Sequence, residues 1–263
     1  MNDRINLVAI VPVYNTAQYL PKCLDSLIGQ TMREILIIVV NDGSTDNSQA
    51  VIDEYAQKFP EKVKGFVTEN LGIGMARNYG IDRAVEILGT NRLNEVYVSF
   101  VDSDDWLEVE AFELLYKEAV KNDADIVLSD FQHSDGDKFQ LMKGFWGTDI
   151  NDPYQRIMNA VVYSAWDKIY RISLFNDMRF PATMYEDVVT IPIVFRSAQK
   201  VSYLPVPLYN YSVRTDSTSH TVDPKQDLLK AIKFLLDYGI EHHDEIILKF
   251  LQRSLEVFMR ERT

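Results

Sequence analysis

The chain has 263 residues, and its 27 Lys plus Arg against 39 Asp plus Glu give a formal net charge of −12. Hydrophobic residues make up 46% and charged residues 25%, an ordinary globular mixture that excludes a disordered tail and a coiled-coil rod. The acidic balance argues against general affinity for nucleic acid, whose phosphates require a basic patch. Cys23 is the only cysteine, so an internal disulfide and a cysteine-ligated zinc site are excluded, in keeping with a reducing, cytoplasmic setting. No apolar stretch approaches the ~20 residues that span a bilayer. The N-terminal run is too short for a signal-peptide core with its cleavage site. The chain stops inside a helical pattern, as a fragment of a longer protein would.

Residues 7–13 form a continuous Val- and Ile-rich run, the pattern of a strand covered on both faces. Leu20, Leu24, Leu27 and Ile28 recur at helical spacing, with Pro21 tolerable in a first turn. Residues 35–40 read as a second buried strand, ending in Asn41-Asp42-Gly43-Ser44. Asp46 is placed to cap the next helix, with Gln49 as capping-box partner. A third strand follows at 63–67, then a helix at 73–88 after the turn Asn70-Leu71-Gly72. A fourth strand at 97–101 runs straight into Asp102-Ser103-Asp104-Asp105-Trp106. A helix over about 108–122 and a strand at 126–129 complete this part. The alternation predicts an α/β fold with a doubly wound, mostly parallel central sheet flanked by helices. In such sheets ligands bind beyond the carboxyl ends of the strands. Three polar clusters sit at such ends: Tyr14-Asn15, Asn41 to Ser44, and Asp102 to Asp105.

Regularity fades after Asp130. Asp135-Gly136 reads as a turn, 154–162 as helical, and 201–204 and 209–213 as short strands separated by Pro205 and Pro207. From Lys225 the pattern is helical again. The expected organisation is one domain over 1–222, with a nucleotide-binding half (about 1–130) and a less regular acceptor-side half (about 131–222). A C-terminal helical appendage follows at 223–263. Its Phe250, Leu251, Leu255, Phe258 and Met259 share a helical face. That face suits packing on the domain, a partner helix as in an oligomer, or peripheral contact with an anionic membrane.

The acidic run carries the chemistry. Asp102, Asp104 and Asp105 are three carboxylates within four residues, and they repel one another unless a cation sits among them. Hard oxygen donors suit Mg²⁺ or Mn²⁺, completed by substrate phosphates rather than by a full protein cage. The plainer reading is that acids here cap the following helix.

Taken together, Ile10-Val11-Pro12-Val13-Tyr14-Asn15, Asn41 to Ser48, Asn70-Leu71-Gly72-Ile73-Gly74-Met75-Ala76-Arg77-Asn78 and the acidic run resemble family 2 glycosyltransferases of the GT-A fold. The acidic run is similar to that family's DXD motif. Trp166-Asp167-Lys168-Ile169-Tyr170-Arg171 is similar to its W-N-K-L-Y-R element, Tyr185-Glu186-Asp187 to its E-D element, and Leu208-Tyr209-Asn210-Tyr211 to a short L-Y-x-Y strand. The resemblance runs from about Ile5 to His220.

That resemblance implies a metal-dependent, inverting hexosyl- or N-acetylhexosaminyl-transferase. It would move sugar from a UDP-sugar to a carbohydrate, glycolipid or glycoprotein hydroxyl in cell-surface polysaccharide or glycoconjugate synthesis. The enzyme would lie in the cytoplasm or at the inner face of the membrane. Asp42 would accept the uracil N3 hydrogen, Tyr14 would pack against the base, and Pro12 would line the same pocket. Arg77 would contact base or phosphate, Lys168 would reach the diphosphate, and Trp106 and Trp166 would wall the sugar pocket unless they serve as core. Asp104 would ligate Mn²⁺ or Mg²⁺ directly, with Asp102 nearer the ribose or a metal-bound water, Ser103 at the nucleotide-sugar, and His220 as a third metal ligand from a late loop. Asp187 would be the general base, with Glu186 supporting it or contacting the donor sugar, and both acids would also favour the start of a helix. Asn41 departs from the more usual Asp, and 85–94 lengthens the approach to the fourth strand. A sugar nucleotidyltransferase would need a Gly-rich phosphate loop after the first strand, and Pro12 to Thr16 holds no glycine. A binding module without transfer activity is the other alternative.

Overall fold

The computed structural model describes residues 5–135, 138–160, 163–213 and 225–260. Strands β1 (Leu7–Val13), β2 (Ile35–Asp42), β3 (Val63–Thr68) and β4 (Tyr97–Phe100) are all parallel in the order β3-β2-β1-β4. The crossovers are α1 (Leu20–Ile28), α2 (Ser48–Lys58) and α3 (Ile73–Leu88). β1 and β2 are buried along their whole length, which is why they read as unbroken apolar runs rather than alternating ones. Their side chains sort by parity. Val8, Ile10, Leu36 and Ile38 enter a core shared with Ala76, Ile81 and Ala84 of α3. Leu7, Ala9, Val11, Ile35 and Ile37 enter a second core with Leu20, Leu24 and Leu27 of α1.

The other half of the sheet is mixed. β8 (Lys168–Arg171) lies antiparallel between β4 and β6 (Ile126–Asp135), so β6 again runs with β4. β7 (Lys138–Met142) folds back on β6, and β9 (Val201–Ser212) runs parallel to β6 on its other side. β5 (Trp106–Leu107), just past the acidic run, pairs with Tyr209 and Asn210 of β9. The two short strands expected at 201–204 and 209–213 are thus one strand. Its prolines are accommodated by register shifts against β6 near Asp130 and by an outer edge that β5 pairs only at the far end. Asp135-Gly136 extends beyond the described residues at Gly136.

α4 (Ala111–Asn122) starts three residues later than expected from 108, and α5 (Pro153–Met158) is shorter than 154–162. α6 (Glu186–Ser197), α7 (Lys225–Glu241) and α8 (Glu245–Arg260) follow. Ala231 and Leu235 of α7 and Ile247, Phe250 and Leu251 of α8 are buried in the same core as α3 and α6. Leu255 packs against it too. Of the alternatives for the C-terminal apolar face, packing on the domain is therefore the one that Phe250, Leu251 and Leu255 follow, and the side chains of Phe258 and Met259 lie outside the described ones. No helix among the described residues is long and apolar enough to cross a bilayer.

Candidate active site

The carboxyl ends of β1, β2 and β4 lie side by side because the three strands are parallel neighbours. Past β1, Tyr14 is 41% exposed while Pro12 is buried within the strand. Asn15 adopts a left-handed φ of 53°, a conformation Asn tolerates better than most residues. Its side-chain oxygen accepts from the Thr45 and Asp46 amides at 2.7 and 3.3 Å, and its own amide donates to Ser44 Oγ at 3.0 Å. Asp46 does not cap as a box with Gln49. Its carboxylate takes the Ser48 and Ala17 amides, both at 2.9 Å, while Gln49 bonds Asn41 and Asp53. The first two strand-end loops are therefore tied together by side-chain hydrogen bonds.

Asp42 closes β2 and is buried. Its Oδ1 accepts from Thr68 Oγ1 and the Leu71 amide, each at 3.0 Å, and Oδ2 accepts from the Gly72 amide at 2.8 Å. An ionised carboxylate has about four acceptor sites, so three bonds leave room for one more donor. Gly43 is required beside it. Its φ is 72°, and a Cβ there would meet the Asn70 amide nitrogen at 2.9 Å.

After β4 the acids divide into two roles. Asp105 turns inward, accepting from Tyr209 Oη and the Ser212 amide, both at 2.7 Å. The same Tyr209 oxygen accepts the Asp102 amide at 3.2 Å. Asp105 thus locks the turn to β9; burial, then Asp104 and Asp102, push its carboxyl well up. Ser103 is buried, its hydroxyl paired with Thr16 Oγ1 at 2.8 Å. Asp102 and Asp104 are left half-buried at the strand end.

Arg77 is 1% exposed. Its Nη2 binds Asp102 Oδ1 at 3.0 Å, its Nη1 binds Glu186 Oε1, and the guanidinium lies 5.5 Å from the Phe180 ring centroid. This replaces the expected contact with base or phosphate by a buried clasp between two acidic elements. Burial works against its charge, but Asp102, Glu186 and Asp187 outweigh burial and hold the cation on. Neighbouring residues build the same clasp. Asn78 exchanges two hydrogen bonds with the Phe180 backbone, at 2.8 and 3.0 Å. A Cβ at Gly74 would meet the Pro181 oxygen at 2.8 Å and Glu186 Cγ at 2.9 Å. The positioning duty of Gly74 and Asn78 is invisible in sequence, because their partners lie about a hundred residues downstream.

Glu186 and Asp187 open α6. Burial pushes the Glu186 carboxyl up to about 8, with Arg77 pulling the other way and Asp187 pushing further. Burial also raises Asp187, opposed by Arg77 and by the Val188 amide, which donates to its Oδ1 at 2.8 Å. The helix-start and base readings of Asp187 are compatible, since the second carboxylate oxygen makes no hydrogen bond among the described residues.

One expectation changes. Lys168 is buried, and its ammonium contacts Asp167, the Ser164 oxygen at 3.1 Å and the Trp166 oxygen at 3.3 Å. It holds a turn in which Asp167 has a φ of 62° and does not reach toward a diphosphate. Trp166 is core, stacked on Tyr209 and Tyr211 at centroid distances of 4.7 and 5.4 Å. Trp106 stays partly exposed under the Lys22 ammonium, 2.9 Å from its ring centroid. His220 lies outside the described residues.

Among the described residues no three His, Cys, Asp or Glu side chains converge as a ready-made metal cage. Asp102 and Asp104 nonetheless fit a hard divalent cation that keeps waters and takes further oxygens from a diphosphate.

The family model for glycosyl transferase family 2 matches residues 8–179, reaching from β1 past the Asp102 to Asp105 turn and stopping short of Glu186. Glycosyltransferase GlyA of Streptococcus pneumoniae is 33% identical over 97% of this chain and 38% of its own length. Putative glycosyltransferase EpsH of Bacillus subtilis is 32% identical over 79% of this chain and 61% of its own. The chain therefore spans less than two thirds of either relative. TarS of S. aureus, solved in complex with UDP-GlcNAc, superposes with a TM-score of 0.77 at 25% identity over 96% of this chain and 73% of that one. On this sequence match and on the GT-A architecture that carries it, the chain belongs to glycosyl transferase family 2.

Proposed function

We propose that the chain moves a sugar from a UDP-sugar to an acceptor hydroxyl, with inversion at the anomeric carbon and with Mn²⁺ or Mg²⁺ at Asp102 and Asp104. One observation carries this reading. The buried Arg77 guanidinium joins Asp102 of the strand-end turn to Glu186 at the start of α6, so the carboxylates for the diphosphate and the carboxylate for the acceptor belong to one cluster.

Roles follow from position. Tyr14 offers an exposed ring for the base, and the remaining acceptor site of Asp42 takes the uracil N3 hydrogen. The cation, when bound, offsets charge on the diphosphate. Asp187 removes the acceptor proton as the hydroxyl oxygen attacks the anomeric carbon from the face opposite the leaving UDP; its raised carboxyl is better matched to that task than an ordinary aspartate. Glu186 and Arg77 hold Asp187 and Asp102 in register. TarS binds UDP and UDP-GlcNAc in its solved complexes, which supports a uridine donor here. The names of TarS, a poly(ribitol-phosphate) beta-N-acetylglucosaminyltransferase, and of GgaB, a minor teichoic acid biosynthesis protein, support a cell-surface polymer or glycoconjugate as acceptor.

The test is hydrolysis or transfer from a panel of UDP-hexoses and UDP-N-acetylhexosamines with and without Mn²⁺, alongside calorimetric titration of UDP and GDP. Metal-dependent turnover of a UDP-sugar and tighter UDP binding are expected. GDP binding as tight as UDP overturns the donor assignment, and undiminished turnover in chelator overturns the metal.

A further inference from the structure

A cavity of about 590 Å³ opens at the amino ends of β6 and β9. β6 and β9 run in the same direction as β4, so their amino ends lie at the opposite end of the sheet from Asp102 and Asp104. The size is that of a small-molecule site. Phe145 and Tyr203 supply aromatic walls, with ring centroids 6.0 Å apart in an edge-to-face arrangement.

The polar lining consists of uncharged groups, with one exception that is neutralised. Asn122 and Ser202 are hydrogen-bonded to each other at 3.2 Å and both donate to Glu118, Asn151 presents an amide, and the only charged lining residue, Lys200, is paired with Asp123 at 3.0 Å. Asn151 uses its side-chain oxygen to accept the Val201 amide at 3.3 Å, leaving its amide N–H groups without a partner among the described residues. Aromatic walls for C–H surfaces, the open Asn151 amide for a hydroxyl, and no uncompensated charge together match a neutral carbohydrate. A phosphate or nucleotide would require free cations.

We propose that this cavity is a second carbohydrate site, which holds a neutral glycan segment away from the transfer centre. Its place in synthesis, gripping an earlier unit of the acceptor while the other end of the sheet extends it, rests on the transferase reading above; the binding itself does not.

The test is a calorimetric and ligand-observed NMR titration of the full chain with chitotriose and with maltotriose, with UDP as a separate ligand. Saturable binding of at least one trisaccharide is expected, unchanged by excess UDP and by Asp104→Ala. Thr148→Trp fills the cavity from an exposed lining position, and Asn151→Asp keeps the acceptor for the Val201 amide while removing the open amide donor. Each should weaken the trisaccharide by about tenfold or more while leaving UDP-sugar hydrolysis unchanged. Absence of saturable binding by both probes overturns the site, as does equal affinity in folded Thr148→Trp. Competition by UDP also overturns it, because the sugar would then sit in the catalytic groove. Loss of the transferase reading would show as absent UDP binding or turnover, leaving the trisaccharide titration intact.

Discussion

A general base and a helix-start residue make different demands on Asp187. Asn can still accept the Val188 amide but cannot take a proton at neutral pH. Asp187→Asn is expected to lower turnover by at least ~10²-fold, the lower range for acid–base catalysis, with UDP affinity little changed; transfer rate at saturating donor and acceptor measures it. Retained rate would move the base to another group, Glu186 first. Asp104→Ala should abolish Mn²⁺-dependent activity while the fold melts normally, because removing an acid relieves repulsion within the turn. Near-normal turnover with Mn²⁺ would remove Asp104 from the metal site. Arg77 differs from both, since its role is buried and structural. Arg77→Met removes the cation beside Asp102 and the donor to Glu186 and should cost about 3–5 kcal/mol, as loss of one partner in a buried pair does; urea denaturation reads it directly.

At the scale of elements, α3 both packs the sheet and places the site. Gly80 lets the helix approach β1, where a Cβ would lie 2.5 Å from Ile10 Cγ2. Gly80→Ala gains helix propensity of ~1 kcal/mol, but overpacking of ~1–3 kcal/mol should dominate, with a net loss of stability by denaturant titration. The start of α6 makes stability depend on pH. The Glu186 carboxyl lies near 8 when folded, above its ordinary value of 4.5, so the folded state keeps a proton that the unfolded state releases. Its contribution is fully present below the unfolded value and is lost as pH rises through about 8. Without metal or nucleotide, the wild type should therefore lose stability relative to Glu186→Gln between pH 5 and pH 9. Parallel curves for the two proteins would show that the carboxyl ionises at its ordinary value.

At the scale of the whole molecule, α7 and α8 are part of the core that α3 and α6 build. Ile247 is fully buried in it. Ile247→Ala should destabilise by about 2–5 kcal/mol, and the helical and aromatic signals should still melt together. An early separate helical transition would show instead that the C-terminal helices fold apart from the sheet.

The parallel half of the sheet was legible from residues alone. β1 and β2 are buried on both faces, so their sequences are unbroken Val and Ile runs, and α3 begins and ends at the expected Ile73 and Leu88. Local motifs also located the strand-end clusters, because polar residues directly after a buried strand have nowhere else to go. The division of labour inside those clusters was not local. Asp105 became structural through Tyr209, Arg77 became a clasp through Glu186, and Lys168 was drawn inward by Asp167. The continuity of β9 across Pro205 and Pro207 likewise depended on which of its edges had a neighbour. Short-range pattern reports how each segment buries its own apolar surface. Which carboxylate faces solvent and which is neutralised depends on partners dozens to a hundred residues away, and only the folded chain brings those charges together.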